Sequence, residues 1–100
     1  MSTQSRLKAC MKNGRMTVAD LALWFDRSYP TVRNWVQFGT APHGPRNEKF
    51  LAELDLLEKL IRNEKGFPVP FAVNHFERPA YIEKLRHEQN ARLPRFDTAR

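Results

Sequence analysis

Residues 47–65, NEKFLAELDLLEKLIRNEK, limit what this chain can become more than any other stretch. At 100° per residue Phe50, Leu54, Leu57 and Ile61 share one seam, with Leu51 on one flank and Leu56 and Leu60 on the other. The apolar arc spans about 220°, against ~100° for the stripe that seats an ordinary surface helix. One neighbour cannot cover so wide an arc, so this helix must pack between two partners. Asn47 stands where an N-cap is expected.

Upstream, the periodicity predicts three shorter helices. Over residues 3–13, Leu7, Cys10 and Met11 fall at i, i+3 and i+4, and Gly14 is expected to stop the helix by turning left-handed. Thr17 with Asp20 forms a capping box, and Met16 and Leu21 are spaced as a hydrophobic staple. The helix they start runs from Val18 to Phe25 and buries Val18, Leu21, Ala22 and Phe25. Trp24 beside them reads as core or as an exposed partner contact. Asp26, Arg27 and Ser28 then make a turn, with Ser28 as N-cap and Pro30 in the first turn of the next helix, where a missing N–H costs nothing. That helix turns Val32, Trp35 and Val36 inward and ends at Gly39. The loop 40–46 follows it.

Downstream, Gly66-Phe67-Pro68-Val69-Pro70 breaks the long helix and forces an extended path. Phe67, Phe71, Val73 and Phe76 ride on this arm and are expected to be buried. A last helix is predicted over about residues 79–92, with Tyr81, Ile82 and Leu85 apolar, and the tail ARLPRFDTAR is expected to fray. The fold class expected is all-α: a small helical bundle with a helix-turn-helix, an extended proline-containing arm and a C-terminal helix.

Charge sorts the function classes. The chain carries 17 Lys+Arg against 11 Asp+Glu, a net +6, unevenly spread. Residues 1–46 hold seven basic and two acidic side chains, and residues 47–75 hold four and five. A basic module attracts polyanions, either nucleic acid or an anionic membrane, although charge can also serve solubility alone. Cys10 is the single cysteine and reads as a small core residue. The N-terminus lacks the apolar run of a signal peptide, and no stretch reaches the ~20 apolar residues of a membrane span. A cytoplasmic protein is expected. His43, His75 and His87 lack metal-ligand spacing, and His75-Phe76-Glu77 has no P-C-x-x-C after it, so neither metal nor cofactor is expected.

Two short helices joined by a three-residue turn make a helix-turn-helix pattern. Arg33, Asn34 and Gln37 point outward from its second helix, as do Ser28 and Tyr29 at its start. Arg pairs bidentately with guanine, and Asn and Gln with adenine. Ser28 and the free N–H groups at the helix start suit a phosphate. An ordinary helical hairpin with a polar outer face is the competing account.

Residues 17–42, TVADLALWFDRSYPTVRNWVQFGTAP, resemble the helix-turn-helix of lambda-repressor-like and Cro-like regulators. They are also similar to the N-terminal domains of phage small terminase subunits. The shared features are Leu21-Ala22, the Val32-x-x-Trp35 pair and the Trp35…Gly39…Pro42 tail. Two positions depart: the turn carries Asp26 where Gly is usual and Arg27 where an apolar residue is usual. The resemblance implies Tyr29, Pro30, Arg33, Asn34 and Gln37 as base readers, with Pro30 limited to apolar contact. It implies Arg27, Ser28 and Thr31 as phosphate contacts. The expectation is then a basic DNA-binding module over 1–46 and a helical oligomerisation region with an arm and basic tail over 47–100. The function expected is sequence-specific binding of double-stranded DNA, as a repressor-type transcriptional regulator acting as a homodimer on a palindromic operator. A DNA-packaging recognition subunit and a protein-interaction module are the alternatives. Leu56, Leu57, Leu60, Phe67 and Phe71 are the expected interface between copies, and a fold-back of residues 67–93 over the same helix is the competing arrangement.

Overall fold

A computed structural model describes residues 2–42 and 47–90. Within them the chain is all-helical, a small bundle of α1 (Thr3–Asn13), α2 (Val18–Phe25), α3 (Tyr29–Phe38), α4 (Glu48–Arg62) and α5 (Arg78–Asn90). The expected tail after residue 90, and the loop from His43 to Arg46, lie outside the described residues.

Local chemistry sets most of these ends. Ser2 caps α1 by accepting from the Ser5 backbone N–H. Thr17 and Asp20 exchange both bonds of a capping box at α2, at 3.1 and 3.0 Å. Two N-terminal expectations need correction. Gly14 is not left-handed (φ −94°); the residue after it, Arg15, is (φ 54°). Gly14 is required for a different reason: a Cβ there would lie 2.8 Å from both the Cys10 carbonyl oxygen and Ile61 Cδ1, so α1 and α4 could not approach. Asn47 does stand at the N-cap of α4, but its side chain makes no capping bond.

One core runs through every helix. Phe25, Trp35 and Phe50 meet ring to ring, with centroids 4.9–6.0 Å apart, and lock α2, α3 and α4 together. Trp24 is core: it meets Phe67 edge-on, and its indole N–H donates to the Glu53 carbonyl at 3.2 Å. Leu7 and Cys10 join from α1, Leu54, Leu57 and Leu60 from α4, and Ile82 from α5.

The second cover for α4 comes from its own chain. After Gly66 the arm folds back and buries Phe67 and Val69, and the Val69 N–H donates to the Gly14 carbonyl at 3.0 Å. α5 then lies along α2. Arg78 at its start grips Asp20 at the start of α2, with Nη2–Oδ2 at 2.6 Å, and also donates to the Arg15 carbonyl at 2.6 Å. Arg86, two turns on, reaches Asp26 at the end of α2, at 3.4 Å.

This fold-back occupies much of the surface expected between copies. Leu57, Leu60 and Phe67 are buried inside the single chain, and Leu56 is half-buried against the same core. Intramolecular burial competes with exchange between copies, and here the arm is long enough to reach home. Phe71 and Phe76, expected to be buried, are both 88% exposed, because the arm's two buried positions are taken by Phe67 and Val69.

Arg78→Met should strand the Asp20 carboxylate, whose side chain is 3% exposed. Removing one partner of a buried pair costs about 3 kcal/mol or more. Urea unfolding followed by tryptophan fluorescence should show that loss, and an unchanged midpoint would exclude the pair as the clasp between α5 and α2.

Candidate nucleic-acid interface

The α2–α3 junction depends on a left-handed residue. Asp26 takes φ 56°, ψ 52°, the conformation usually left to Gly, which short polar Asp tolerates better than most side chains. The Arg27 N–H returns to the Ala22 carbonyl at 3.0 Å and closes the helix end. The Arg27 side chain bends over the same turn, its Nη1 donating to the Phe25 and Asp26 carbonyls at 3.2 and 3.3 Å. A guanidinium used in this way needs no apolar neighbour, which explains how the turn accommodates Arg27.

Both ends of α3 are fixed. At the start, the Thr31 N–H donates to Ser28 Oγ, and the two hydroxyls lie 2.8 Å apart. At the end, Gly39 turns left-handed (φ 68°) and its N–H closes on the Trp35 carbonyl. Gln4 of α1 reaches across to donate to the Val36 carbonyl at 2.7 Å, satisfying an acceptor that a helix end otherwise leaves open. Val32, Trp35 and Val36 face the core.

The outward side of α3 is then a rigid, open surface. Pro30, Thr31, Arg33 and Gln37 are exposed, Tyr29 is 51% exposed and Asn34 is half-buried. The five positions expected to read bases therefore stand on one accessible helix face. Ser28, Arg27 and Thr31 are also exposed, at the turn and the first turn of the helix, although Pro30 has no N–H and the Thr31 N–H is already taken by Ser28 Oγ. Phe38, 71% exposed at the far end, was missed by sequence reading. Its position well away from the Val32–Trp35–Val36 stripe was the available signal.

Charge is distributed to leave this region positive. Arg6 is neutralised by Asp55 and Glu58 of α4, at 2.5 and 2.6 Å, and the hydrogen bond to Glu58 chiefly holds its pKa up. Arg78 and Arg86 are paired with Asp20 and Asp26. Lys8, Lys12, Arg27 and Arg33 form no ion pair among the described residues.

Behind the turn lies a charged group the sequence reading passed over. Glu53 is buried on α4, and burial raises its carboxyl pKa against the opposing pull of Lys49, Arg27 and Arg86. Its helical phase, between Leu57 and Leu60 within the apolar arc, was the overlooked sign. Cys10 is likewise silenced by burial, its thiol pushed up to about 12, so it is no nucleophile at neutral pH. A cavity of about 640 Å³ opens beside it, lined by Asn13, Glu58, Ile61 and Arg62 among others, with Glu58 already committed to Arg6. Among the described residues no three His, Cys, Asp or Glu side chains are grouped to hold a metal, and no helix is long and apolar enough to cross a membrane.

Compared with known proteins, the chain matches no family model, no curated protein and no solved structure.

A carboxyl whose folded pKa lies above its unfolded value holds its proton more tightly when folded. Stability is then greatest below the unfolded value and is lost as pH rises through the folded one. Glu53→Gln should therefore melt higher than the parent at about pH 8, with the gain shrinking towards about pH 4, near the ordinary glutamate value. Calorimetry across that range checks it. An equal gain at every pH would show that Glu53 titrates normally.

Proposed function

We propose that this protein binds double-stranded DNA sequence-specifically through α3, as a transcriptional regulator of the repressor type acting as a homodimer on a palindromic operator. One observation carries the reading: a short helix, a left-handed turn and a second short helix, with Tyr29, Pro30, Arg33, Asn34 and Gln37 on the outer face of the second. The face suits the major groove, whose ~12 Å width admits a helix. It offers one guanidinium fork and two amides, the groups that pair with guanine and adenine edges.

The back of α3 supports the same reading. A reading helix has to hold its side chains in register, and α3 is pinned by the Phe25–Trp35–Phe50 cluster behind it and by caps at both ends. On this reading Arg27, Ser28 and Thr31, exposed beside the turn, would take the flanking phosphates, and Lys8 and Lys12 would add cations on α1. Two copies on a palindrome would set their α3 helices one DNA turn apart, about 34 Å.

Selection of duplexes from a random pool, followed by sequencing, should return a defined motif. On that motif Arg33→Ala and Asn34→Ala should each lose about 1–3 kcal/mol of discrimination at one base pair while melting like the parent. Recovery of no motif, or unchanged preference in both variants, would remove α3 as the reader.

A further inference from the structure

Phe38 is the large apolar side chain that α3 leaves most open, 71% exposed at the end of the helix. We infer that Phe38 is a further specificity residue of the α3 face, and that its ring reads the 5-methyl group of a thymine in the major groove of duplex DNA. The inference deepens the DNA-binding reading and rests on it.

Position joins the ring to that face. Phe38 follows Asn34 by four residues and Thr31 by seven, the spacing that sets side chains one above another on a helix. Val32, Trp35 and Val36 point into the core, and Phe38 falls outside their arc. A long side chain on a helix inclines over the turn before its own Cα. The ring therefore covers the turn that carries Asn34 rather than the space past the helix end.

The backbone under the ring is fixed. Gly39 turns left-handed directly after it, and the Gly39 N–H closes on the Trp35 carbonyl at 3.2 Å. Gln4 of α1 holds the Val36 carbonyl at 2.7 Å and lies against Gly39, where a Cβ would come 3.3 Å from Gln4 Oε1. α1 thus braces the end of α3, and a ring on a braced helix loses little freedom on contact.

Chemistry selects the occupant. α3 contains no Asp or Glu, and its one charge is Arg33, a cation with no acidic partner among the described residues. Such a helix suits an anionic surface. In the major groove the base edges present hydrogen-bond donors and acceptors, and the apolar group among them is the thymine 5-methyl. Arg33, Asn34 and Gln37 match the polar edges. A phenyl ring offers those edges no hydrogen bond, and Phe is among the side chains that contact the methyl. Spacing follows from the helix: four residues rise about 6 Å, close to two base-pair steps of ~3.4 Å. With α3 along the groove, the thymine should lie about two base pairs from the pair that Asn34 reads.

Uracil tests the contact directly, because it keeps the groove hydrogen-bonding groups of thymine and lacks only the methyl. In the duplex motif recovered by selection, each thymine is replaced singly by deoxyuridine, and affinity is followed by fluorescence anisotropy. For the wild type, the replacement about two base pairs from the Asn34-dependent position should weaken binding about fourfold, the ratio for one buried methyl. Phe38→Ser should bind the thymine and uracil duplexes equally there and melt like the wild type. Phe38→Leu, still apolar, should keep part of the thymine preference. If Phe38→Ser lowers the melting temperature, Phe38→Gln, a better helix former, is the variant to read. A wild type indifferent to every replacement overturns the methyl contact. A Phe38→Ser variant that keeps the wild-type ratio of thymine to uracil affinity overturns Phe38 as the reader. Either result leaves discrimination by Arg33 and Asn34 intact. Recovery of no motif overturns the DNA-binding reading, and this inference with it.

Discussion

The Asp20 carboxylate is the constraint on which the rest of the structure depends. It caps α2 through the Thr17 N–H and at the same time binds the Arg78 guanidinium, so one side chain both starts the first helix of the helix-turn-helix and fastens α5 to it. Buried almost completely, it is tolerable there only because both demands are met. Arg78 in turn takes the Arg15 carbonyl, where the backbone has gone left-handed. The arm between α4 and α5 is thereby drawn over the core, and α4 gains its second cover without a second chain.

Much of the helical layout was legible because its causes are local. Thr17 with Asp20, Ser28, Pro30 and Gly39 each act within four residues, and the structure puts the ends of α2 and α3 where those residues require. The outward face of α3 was legible for the same reason: Val32, Trp35 and Val36 fix its phase, and the positions opposite them must open to solvent. What was not legible is non-local. Asp20 and Arg78 lie 58 residues apart, and no period links them. Phe67, Phe71 and Phe76 look equivalent on one arm, yet only the first is buried, against the core ring of Trp24. Gly14 was understood as a conformational glycine when its job is to let α4 approach. That requirement exists only once Ile61 is in place.

Burial then explains which charges are left to act. The basic excess of the N-terminal half is not all available: Arg6 is spent on α4, and the two α5 arginines face the acids of α2. Among the described residues Arg33 of α3 and Lys8 and Lys12 of α1 keep no acidic partner, as do Lys49, Lys59 and Arg62 on α4. A net charge summed over the sequence therefore overstates the charge left free to act. The acids that cancel charge lie on α4 and α2, and α3 carries none.

The open surfaces of the molecule consequently divide by chemistry. The face of α3 mixes a guanidinium, amides and a phenol, groups with specific hydrogen-bonding geometry, on a helix that cannot shift. The segment around Phe71 and Phe76 has no formal charge of its own and offers area without directional bonds. A surface of the first kind discriminates between partners, because a mismatched donor or acceptor is left unpaired. A surface of the second kind discriminates poorly, because apolar area is stabilised by any contact that excludes water.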